Sequence, residues 1–260
     1  MTERSDTKRA GSPQRFVSTR LLRLSPLQLV FALANRGAFV AMAYHSVNDP
    51  DTFAAHIDYL ASHYHPVGLS QVVEAIGDQS ALSPRAVLVT FDDGDKTIID
   101  HALPVMKRRG VPGVLFAVAG HIDSDRPFWW KEAEDLVRRG GRIEGWEESG
   151  ADAVVRRLKR EEQDRRLAAL EELRQTVDGD TEQSVRGLSA GDLRTLDAEG
   201  IAVENHTLTH PSLDRCDPET IAEEIEQAHS RLAGILGREP VAFAYPGGYY
   251  AEQARAVLES

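Results

Sequence analysis

The sequence predicts an α/β fold in which helices cover a parallel β-sheet. Two observations predict this class. Short apolar segments rich in β-branched residues alternate with longer segments of helical spacing, which is typical of parallel strands joined by outer helices. Carboxylate and imidazole side chains directly follow two of the apolar segments, and barrels of this class gather their active sites at the carboxyl ends of the strands. We therefore expect a barrel-like sheet with a site at one end.

The individual elements follow from local patterns. The strand signals lie near Ala38, Tyr64, Val87, Gly113, Ile201 and Val241. Helices are expected at 51–63, at 97–109, and at 70–76, where Ser70 would open the helix after a short strand from Val67. Pro104 predicts a kink in the helix at 97–109, and Gly110 predicts its end.

A charged segment at about 131–185 interrupts the alternation. It is dense in Arg and Glu, and it carries a thin apolar stripe formed by Leu158, Leu167, Leu170 and Leu173. We expect one or two solvated helices inserted between the strands near Gly113 and Ile201. The pattern itself indicates no chemistry in this insertion.

The N-terminus is expected to stand apart from the domain. Residues 1–24 are rich in basic side chains and predict a disordered arm, whereas residues 25–260 predict a single domain. The stretch 27–40 is too short and too polar to span a bilayer, so residues 25–35 predict an amphipathic helix that packs on the domain. We expect a cytoplasmic protein, with weak attachment to the inner membrane face as the alternative.

Composition excludes one class of partner. The chain has 260 residues, 42% of them hydrophobic, which is enough for one domain with a sizeable core. Its net charge of −11 argues against binding to nucleic acid, because phosphate contacts need a basic surface. Cys216 is the single cysteine, so no internal disulfide can form, which fits a reducing compartment.

Two adjacent carboxylates end the strongest strand signal. Residues 87–94 read Val-Leu-Val-Thr-Phe-Asp-Asp-Gly, and the carboxylates are Asp92 and Asp93. Carboxylates near a core are unfavourable, and neighbouring like charges raise each other's pKa unless a cation lies between them. An Asp-Asp-Gly segment taken alone is more often a turn. The functional interpretation is a metal ligand beside a general base.

Two histidines follow a later strand signal. His206 and His210 come directly after the apolar run at 200–203, and histidines four residues apart can face one cation across a helical turn. Together with Asp93 they would supply three ligands and leave a position open for water. Imidazole with carboxylate suits zinc, and cobalt, nickel, manganese and iron are the alternatives. The joint appearance of both motifs at strand ends favours a metal site over coincidence.

The two motifs together carry a resemblance. Residues 90–94 (Thr-Phe-Asp-Asp-Gly) and 206–210 (His-Thr-Leu-Thr-His) resemble the first two motifs of the polysaccharide deacetylases, also called the NodB-homology domain or carbohydrate esterase family 4. The resemblance extends from about residue 38 to the end. It implies a distorted (β/α)7-type barrel, with Asp92 as the catalytic base and a divalent metal on Asp93, His206 and His210.

The third motif departs from the family pattern. Family members usually carry Arg-x-Pro-Tyr, whereas residues 244–248 read Ala-Tyr-Pro-Gly-Gly. Ala244 thus replaces the arginine that normally orients the base. Gly247 stands where the tyrosine would be, and its backbone N–H can still serve the oxyanion hole.

The family's late Leu-x-His motif, which supplies the catalytic acid, has no counterpart here. A Tyr-His pair at the end of the first strand signal offers a substitute, and the resemblance to members with an N-terminal Tyr-His motif assigns His45 as the general acid. A histidine bonded to backbone at a strand end is the alternative. The strand signals also fall short of the roughly seven or eight strands of such barrels, so we expect an incomplete barrel that lacks its last strand or strands.

Aromatic residues are the candidates for substrate contact. Trp129 and Trp130 could stack on sugar rings, although a large aromatic more often docks a helix on a core. Tyr245, in the third motif, is the third candidate.

The resemblance implies a metal-dependent hydrolase that removes N-acetyl groups from an N-acetylated sugar polymer, oligosaccharide or glycan precursor. Two alternatives remain open at this point. One is an O-acetyl esterase acting on carbohydrate through the same site, and the other is a catalytically impaired carbohydrate-binding remnant. The expected partner is therefore a glycan, and the sequence indicates no protein partner.

Overall fold

Within the described residues, 38–78, 82–147, 150–177 and 187–259 of the computed structural model, five short parallel strands form one sheet. The strands are β1 (Val40–Tyr44), β2 (His65–Pro66), β3 (Ala86–Asp93), β4 (Gly113–Ala117) and β5 (Ile201–Asn205). Their order is β1-β3-β4-β5, and β2 pairs with the beginning of β3. A parallel bridge between Asn205 and Phe243 continues the sheet beyond β5. Five of the six predicted strands lie where the sequence predicts them, whereas the sixth, near Val241, forms only this single bridge in the described part of the chain. The open arrangement agrees with an incomplete barrel.

Helices connect the strands and cover the sheet. They are α1 (Pro50–His63), α2 (Leu69–Gly77), α3 (Leu103–Arg109), α4 (Trp129–Arg138), α5 (Ala151–Leu158), α6 (Gln163–Gln175), α7 (Ala190–Ala198), α8 (Pro218–Leu236) and α9 (Glu252–Leu258). A π-helical turn, Ile98–Ala102, leads directly into α3, and short 3₁₀ turns occupy Ala119–His121, Leu213–Arg215 and Pro246–Gly248.

The central strand is buried on both faces. Val87, Val89 and Phe91 of β3 are fully buried, as expected for a parallel sheet covered by helices on each side. The largest apolar cluster surrounds these side chains and includes residues from α1, α3, α7 and α8. By contrast, most of β1 is exposed at the edge of the sheet. The buried strand β3 therefore holds its carboxyl end, and the two aspartates on it, in a fixed place.

Local signals set most helix ends. Asp49 caps α1 by accepting hydrogen bonds from the first backbone N–H groups, and Gly110 ends α3 with a φ of 62°. Pro104, where the sequence predicts a kink, lies in the first turn of α3, directly after the π-helical turn. One expected start was wrong, because α2 begins at Leu69 rather than at Ser70 and the side chain of Gln71 bonds the backbone N–H at its start.

The charged insertion is folded around a core of its own. Helices α4, α5 and α6 enclose a cluster that includes the buried side chains of Leu136, Leu158, Leu170 and Leu173. Leu167, the remaining member of the predicted stripe, is half exposed. The expectation of one or two solvated helices was wrong, because three helices of this region pack as a unit, and two of their charged side chains, Glu132 and Arg166, are buried.

The predictions for the N-terminus lie outside the described residues. The basic arm at 1–24 and the amphipathic helix at 25–35 both precede residue 38, where the description begins. Among the described residues, no helix combines the length and apolar character that a bilayer span requires.

Candidate metal centre

Three predicted ligands meet at the end of the sheet. Asp93 is the last residue of β3, and His206 and His210 lie in the loop after β5. One ligand atom from each lies within 4.8 Å of the others. Asp93 Oδ1 is 3.7 Å from His206 Nε2 and 3.4 Å from His210 Nε2. The parallel pairing of β3 with β4 and of β4 with β5 brings these distant segments together.

The protonation chemistry of the three residues fits a divalent cation. Asp93 Oδ1 is buried and has no hydrogen-bond partner in the described part of the chain. Burial raises the pKa of Asp93 to about 6, and the neighbouring charge of Asp92 adds to the effect. Burial lowers the pKa of both His206 and His210, so each imidazole is neutral and keeps a free nitrogen lone pair. A cation between them would satisfy the carboxylate and both nitrogens.

A backbone carbonyl orients the first histidine. His206 Nδ1 lies 2.8 Å from the carbonyl oxygen of Ala244 and donates to it, which assigns the proton to Nδ1 and leaves Nε2 facing Asp93. Metal-binding histidines commonly have such a partner on the second ring nitrogen. The third motif therefore contributes to the site through its backbone, even though its arginine is replaced.

The spacing of four residues would have allowed the two histidines to lie on a helix, but they do not. They lie in a loop in which Thr207 and His210 have φ values of 68° and 59°. Asp93 also has a positive φ, 73°. This left-handed conformation costs a residue with a side chain roughly 1–2 kcal/mol, and such strain is typical of functional sites. Three of the five non-glycine residues with positive φ in the described part of the chain thus lie in the candidate site, and the other two are Arg85 and Asp123. The surrounding structure must therefore hold the loop.

Glu224 is a supporting residue that the sequence pattern did not reveal. It lies on α8, is buried, and its carboxylate accepts hydrogen bonds from the backbone N–H of Leu208 at 3.0 Å and of Thr209 at 2.7 Å. The hydroxyl of Thr209 donates to it as well. No local signal marks Glu224, since the helix carries several acidic residues of similar appearance. The packing of α8 against the loop determines which of these acidic residues reaches the backbone of Leu208 and Thr209.

Further bonds within the motif complete the loop. Asn205 Oδ1 accepts from the N–H of Thr207 at 2.8 Å, and the Thr207 hydroxyl accepts from the N–H of His210 at 3.0 Å. On the other side, the backbone N–H of Gly120 donates to the carbonyl of Leu208 at 2.7 Å. A Cβ at position 120 would lie only 2.4 Å from that oxygen. A glycine at position 120 is thus required for the turn after β4 to approach the backbone of Leu208 this closely.

The predicted base and acid lie beside Asp93, His206 and His210, which are called the metal trio below. Asp92 precedes Asp93 and is partly exposed, and its Oδ2 is 3.9 Å from His45 Nε2. The loop after β1 that carries His45 is anchored at Val47, whose N–H donates to Thr97 Oγ1 at 2.9 Å and whose carbonyl accepts from His101 Nδ1 at 2.6 Å. The segment that follows the two aspartates therefore holds the loop that carries the histidine.

No arginine or lysine of the described residues forms an ion pair with Asp92, in line with the substitution at Ala244. Its ionic neighbour there is His45, whose side chain is 67% exposed. The imidazole is therefore accessible to solvent and to a molecule that binds beside Asp92.

Gly247 adopts a conformation that the family's tyrosine would not adopt readily. Its φ is 62°, and a Cβ there would lie 3.0 Å from the ring of Tyr249. The glycine thus suits the local backbone of this chain. Gly247 lies in the 3₁₀ turn that follows Ala244, the residue whose carbonyl accepts from His206.

The aromatic candidates differ in where they lie. The Trp130 ring is 4.6 Å from the His210 ring, at the edge of the metal trio. Trp129 packs against the core of the insertion, and its Nε1–H donates to the His210 carbonyl at 3.3 Å. Tyr245 packs on Phe243 and Tyr250. Among the described residues, Trp130 is therefore the best placed of the three to meet a substrate at the metal trio.

Comparison with known proteins agrees with this geometry. The sequence model of the polysaccharide deacetylase family matches residues 79–260. The chitooligosaccharide deacetylase of Rhizobium leguminosarum bv. trifolii is 24% identical over 156 residues, 60% of this chain and 43% of that protein. The poly-β-1,6-N-acetyl-D-glucosamine N-deacetylase of Staphylococcus epidermidis is 31% identical over 80 residues, 31% of this chain and 27% of that protein.

Solved structures share the fold. IcaB from Ammonifex degensii superimposes with a TM-score of 0.57 at 22% identity, covering 85% of this chain and 79% of that one. The deacetylase PplD of Streptococcus pyogenes, in complex with acetate, gives a TM-score of 0.57 at 16% identity with the same coverage. The chain spans less than half the length of the two curated relatives. With the family match covering most of its length, this chain belongs to the polysaccharide deacetylase family.

Proposed function

We propose that this protein is a metal-dependent hydrolase that removes N-acetyl groups from an N-acetylated carbohydrate. The observation that carries the proposal is the convergence of Asp93, His206 and His210 on one point, with the carboxylate of Asp92 beside it. The names of the curated relatives, an N-deacetylase of poly-β-1,6-N-acetyl-D-glucosamine and a chitooligosaccharide deacetylase, support this substrate class.

The metal would be held by the carboxylate and the two imidazoles, and zinc is the first choice for this donor set. When bound, such an ion polarises a carbonyl and lowers the pKa of a bound water toward neutrality. The contribution of the protein is to hold the donor side chains in a fixed orientation. His206 is held by the carbonyl of Ala244, and the loop of His210 is held by Glu224.

Asp92 is proposed as the general base. Its carboxylate follows the buried part of β3 and is partly exposed, so it can accept a proton from a water at the metal trio. Positioned proton transfer of this kind typically contributes roughly 10²–10⁴-fold to the rate. Because Asp93 is the ligand, Asp92 keeps its lone pairs free for the proton.

His45 is proposed as the general acid that protonates the departing amine. Its Nε2 is 3.9 Å from Asp92 Oδ2, which leaves both groups within reach of one small substrate group. The N–H of Gly247 is proposed as a donor to the oxyanion, and Trp130 as a surface on which the sugar packs. Each of these roles rests on placement beside the trio or on the family motif.

Acetate release tests the proposal. Zinc-loaded protein is incubated with N-acetylglucosamine oligomers of both β-1,4 and β-1,6 linkage, and free acetate is measured. The Asp92→Asn variant is the control, since it keeps the shape of the base and all three metal ligands. We expect release from the wild type and a loss of at least roughly 10²-fold in the variant. No release above the variant, with metal bound in both, would sink the deacetylase claim and leave a carbohydrate-binding remnant.

Amide and ester hydrolysis can be distinguished experimentally because their leaving groups differ in the need for protonation. An amine must be protonated as it departs, whereas an alkoxide leaves more readily. The His45→Ala variant should therefore lose most of its activity on N-acetylated sugars but little on O-acetylated ones. His56→Ala serves as the matched control, because His56 lies on α1, outside the metal trio. Acetate from O-acetylated sugars alone would identify an esterase.

A further inference from the structure

Arg166 is a buried cation without a carboxylate partner. It lies on α6 of the insertion and is 2% exposed. Among the described residues it forms no ion pair, although buried arginines are usually paired. Burial lowers the pKa of Arg166 to about 10, so the guanidinium still carries its charge at neutral pH. Such a charge needs a polar partner of another kind.

The partner is the backbone of a metal ligand. Arg166 Nη1 donates to the carbonyl oxygen of His210 at 3.1 Å. The indole N–H of Trp129 donates to the same oxygen at 3.3 Å. The guanidinium also lies over the Trp129 ring, 4.6 Å from its centre, and Nη2 donates to Gln163. Two side chains from the insertion thus converge on one carbonyl.

A buried carboxylate bonds the same loop at the two residues that precede His210. Glu224 accepts from the backbone of Leu208 and Thr209, and Arg166 donates to the backbone of His210. Neither Glu224 nor Arg166 has a direct ionic partner in the described part of the chain. The loop that carries the candidate metal ligands is therefore bonded at adjacent residues by a buried negative and a buried positive side chain, and the charge of Glu224 also acts on Arg166.

The corner between α5 and α6 adds further contacts to this loop. The hydroxyl of Ser212 donates to the carbonyl of Lys159 at 2.5 Å, and the amide of Gln163 donates to Thr209 Oγ1 at 3.4 Å. His210 itself has a left-handed backbone with a φ of 59°. The carbonyl carbon and the side chain of His210 are both attached to its Cα, so a bond that holds the carbonyl restricts the position from which the imidazole projects.

We propose that Arg166 is a positioning residue that holds the metal ligand His210, so that the inserted helices set the metal affinity and ligand geometry of the site. The inference rests on the proposed metal site. Trp129 acts with Arg166, by sharing the carbonyl and by supporting the guanidinium with its ring. The insertion thereby has a part in the chemistry, although its sequence pattern indicated none.

The test compares metal binding in variants of the full-length chain. Arg166→Met removes the donor and keeps the volume. Arg174→Met is the matched control, since Arg174 lies on the same helix and bonds Glu132 rather than the loop. Zinc dissociation constants are measured by chelator competition, and visible absorption spectra are recorded with Co²⁺ in place of zinc. We expect Arg166→Met to weaken zinc binding by about 10–100-fold and to change the Co²⁺ spectrum.

The outcomes separate the possible failures. A wild-type zinc affinity and Co²⁺ spectrum in Arg166→Met would overturn the inference, and so would equal losses in both variants, which would indicate general destabilisation. If Arg166→Met does not fold, Arg166→Lys decides, with Arg174→Lys as control: a Co²⁺ spectrum altered only in Arg166→Lys supports the inference, and an unaltered one overturns it. A wild type that binds no metal overturns the proposed function as well.

Discussion

Asp93 combines three unfavourable properties in one residue. Its backbone is left-handed, its carboxylate oxygen is buried without a hydrogen bond, and burial raises its pKa to about 6. Each property is unfavourable in the metal-free protein. A cation bound by Asp93, His206 and His210 would compensate for two of them, because it would neutralise the carboxylate and occupy its free lone pair. Asp93 is therefore better suited to binding a cation than to stabilising the metal-free fold.

Metal affinity should depend on pH through Asp93. Its pKa is raised to about 6, so below that pH the folded protein carries a proton on the carboxyl that a metal must displace. Burial lowers the pKa of both histidines, so protons on them compete with a metal at lower pH than they would on exposed imidazoles. We expect a constant zinc affinity between pH 6.5 and 7.5 and a decrease of about tenfold per pH unit below 6. Isothermal titration calorimetry at several pH values measures this, and a midpoint near pH 7 or a slope of two protons would contradict it.

Restoring the family's tyrosine at position 247 should be harmful. Gly247 has a φ of 62°, and a Cβ would contact the Tyr249 ring at 3.0 Å. Gly247→Tyr should lower the free energy of unfolding by at least about 1–2 kcal/mol. Gly234→Ala, in the interior of α8 and with open space around its Cβ, should raise it by about 0.5–1 kcal/mol. Urea unfolding compares the two, and a Gly247→Tyr variant as stable as the wild type would show that the turn is not strained.

At the scale of elements, the loop after β5 depends on three neighbours. The turn after β4 bonds it through Gly120, α8 bonds it through Glu224, and α6 bonds it through Arg166. These neighbours come from distant parts of the sequence. Since the loop contains two left-handed residues, its conformation must be maintained by tertiary contacts rather than by local preference.

Gly120→Ala tests the contact with the turn after β4. The new methyl group would lie 2.4 Å from the carbonyl oxygen of Leu208, a backbone atom that cannot move without the loop. We expect zinc affinity to fall by at least about tenfold and the free energy of unfolding to fall by about 1–3 kcal/mol. Gly77→Ala, at the end of α2 with nothing near its Cβ, should leave zinc affinity unchanged. Equal affinities in the two variants would exclude a role for this contact.

At the scale of the molecule, the candidate site joins separate apolar clusters. Asp93 projects from the sheet and its main core, whereas Trp129 belongs to the insertion and its smaller core. His210 contacts both parts through its side chain and its carbonyl. A metal bound here would link β3 to the loop after β5, and it would stabilise the folded chain because the unfolded chain has no such site.

Zinc should therefore raise the melting temperature of the whole domain. At a concentration one hundred times its dissociation constant, a ligand adds about 2.7 kcal/mol, which corresponds to roughly 5–10 °C for a chain of this size. Asp93→Asn should abolish the shift. Without metal, however, this variant should melt above the wild type, because it removes a buried carboxylate whose pKa is raised. Asp100→Asn, at an exposed position, is the control for scanning calorimetry. A zinc shift that survives Asp93→Asn would indicate binding elsewhere.

The sequence determined the strands and indicated the candidate ligands. A buried parallel strand needs a continuous run of β-branched and aromatic residues, so β3 could be located from its composition alone. The candidate ligands could be named because both motifs occur at strand ends, although an Asp-Asp-Gly segment alone is more often a turn.

Only the tertiary structure decided what holds those ligands. Arg166, Glu224 and Gly120 have their effect through contacts with distant backbone, and no local pattern distinguishes them from neighbouring residues of the same type. The left-handed conformation of His210 was likewise not predictable, since a spacing of four residues is also compatible with a helix. Supporting contacts depend on how helices pack on the sheet, whereas strand and ligand signals depend on the residues themselves. For that reason the sequence indicated the candidate site, and the fold determined which contacts hold its residues.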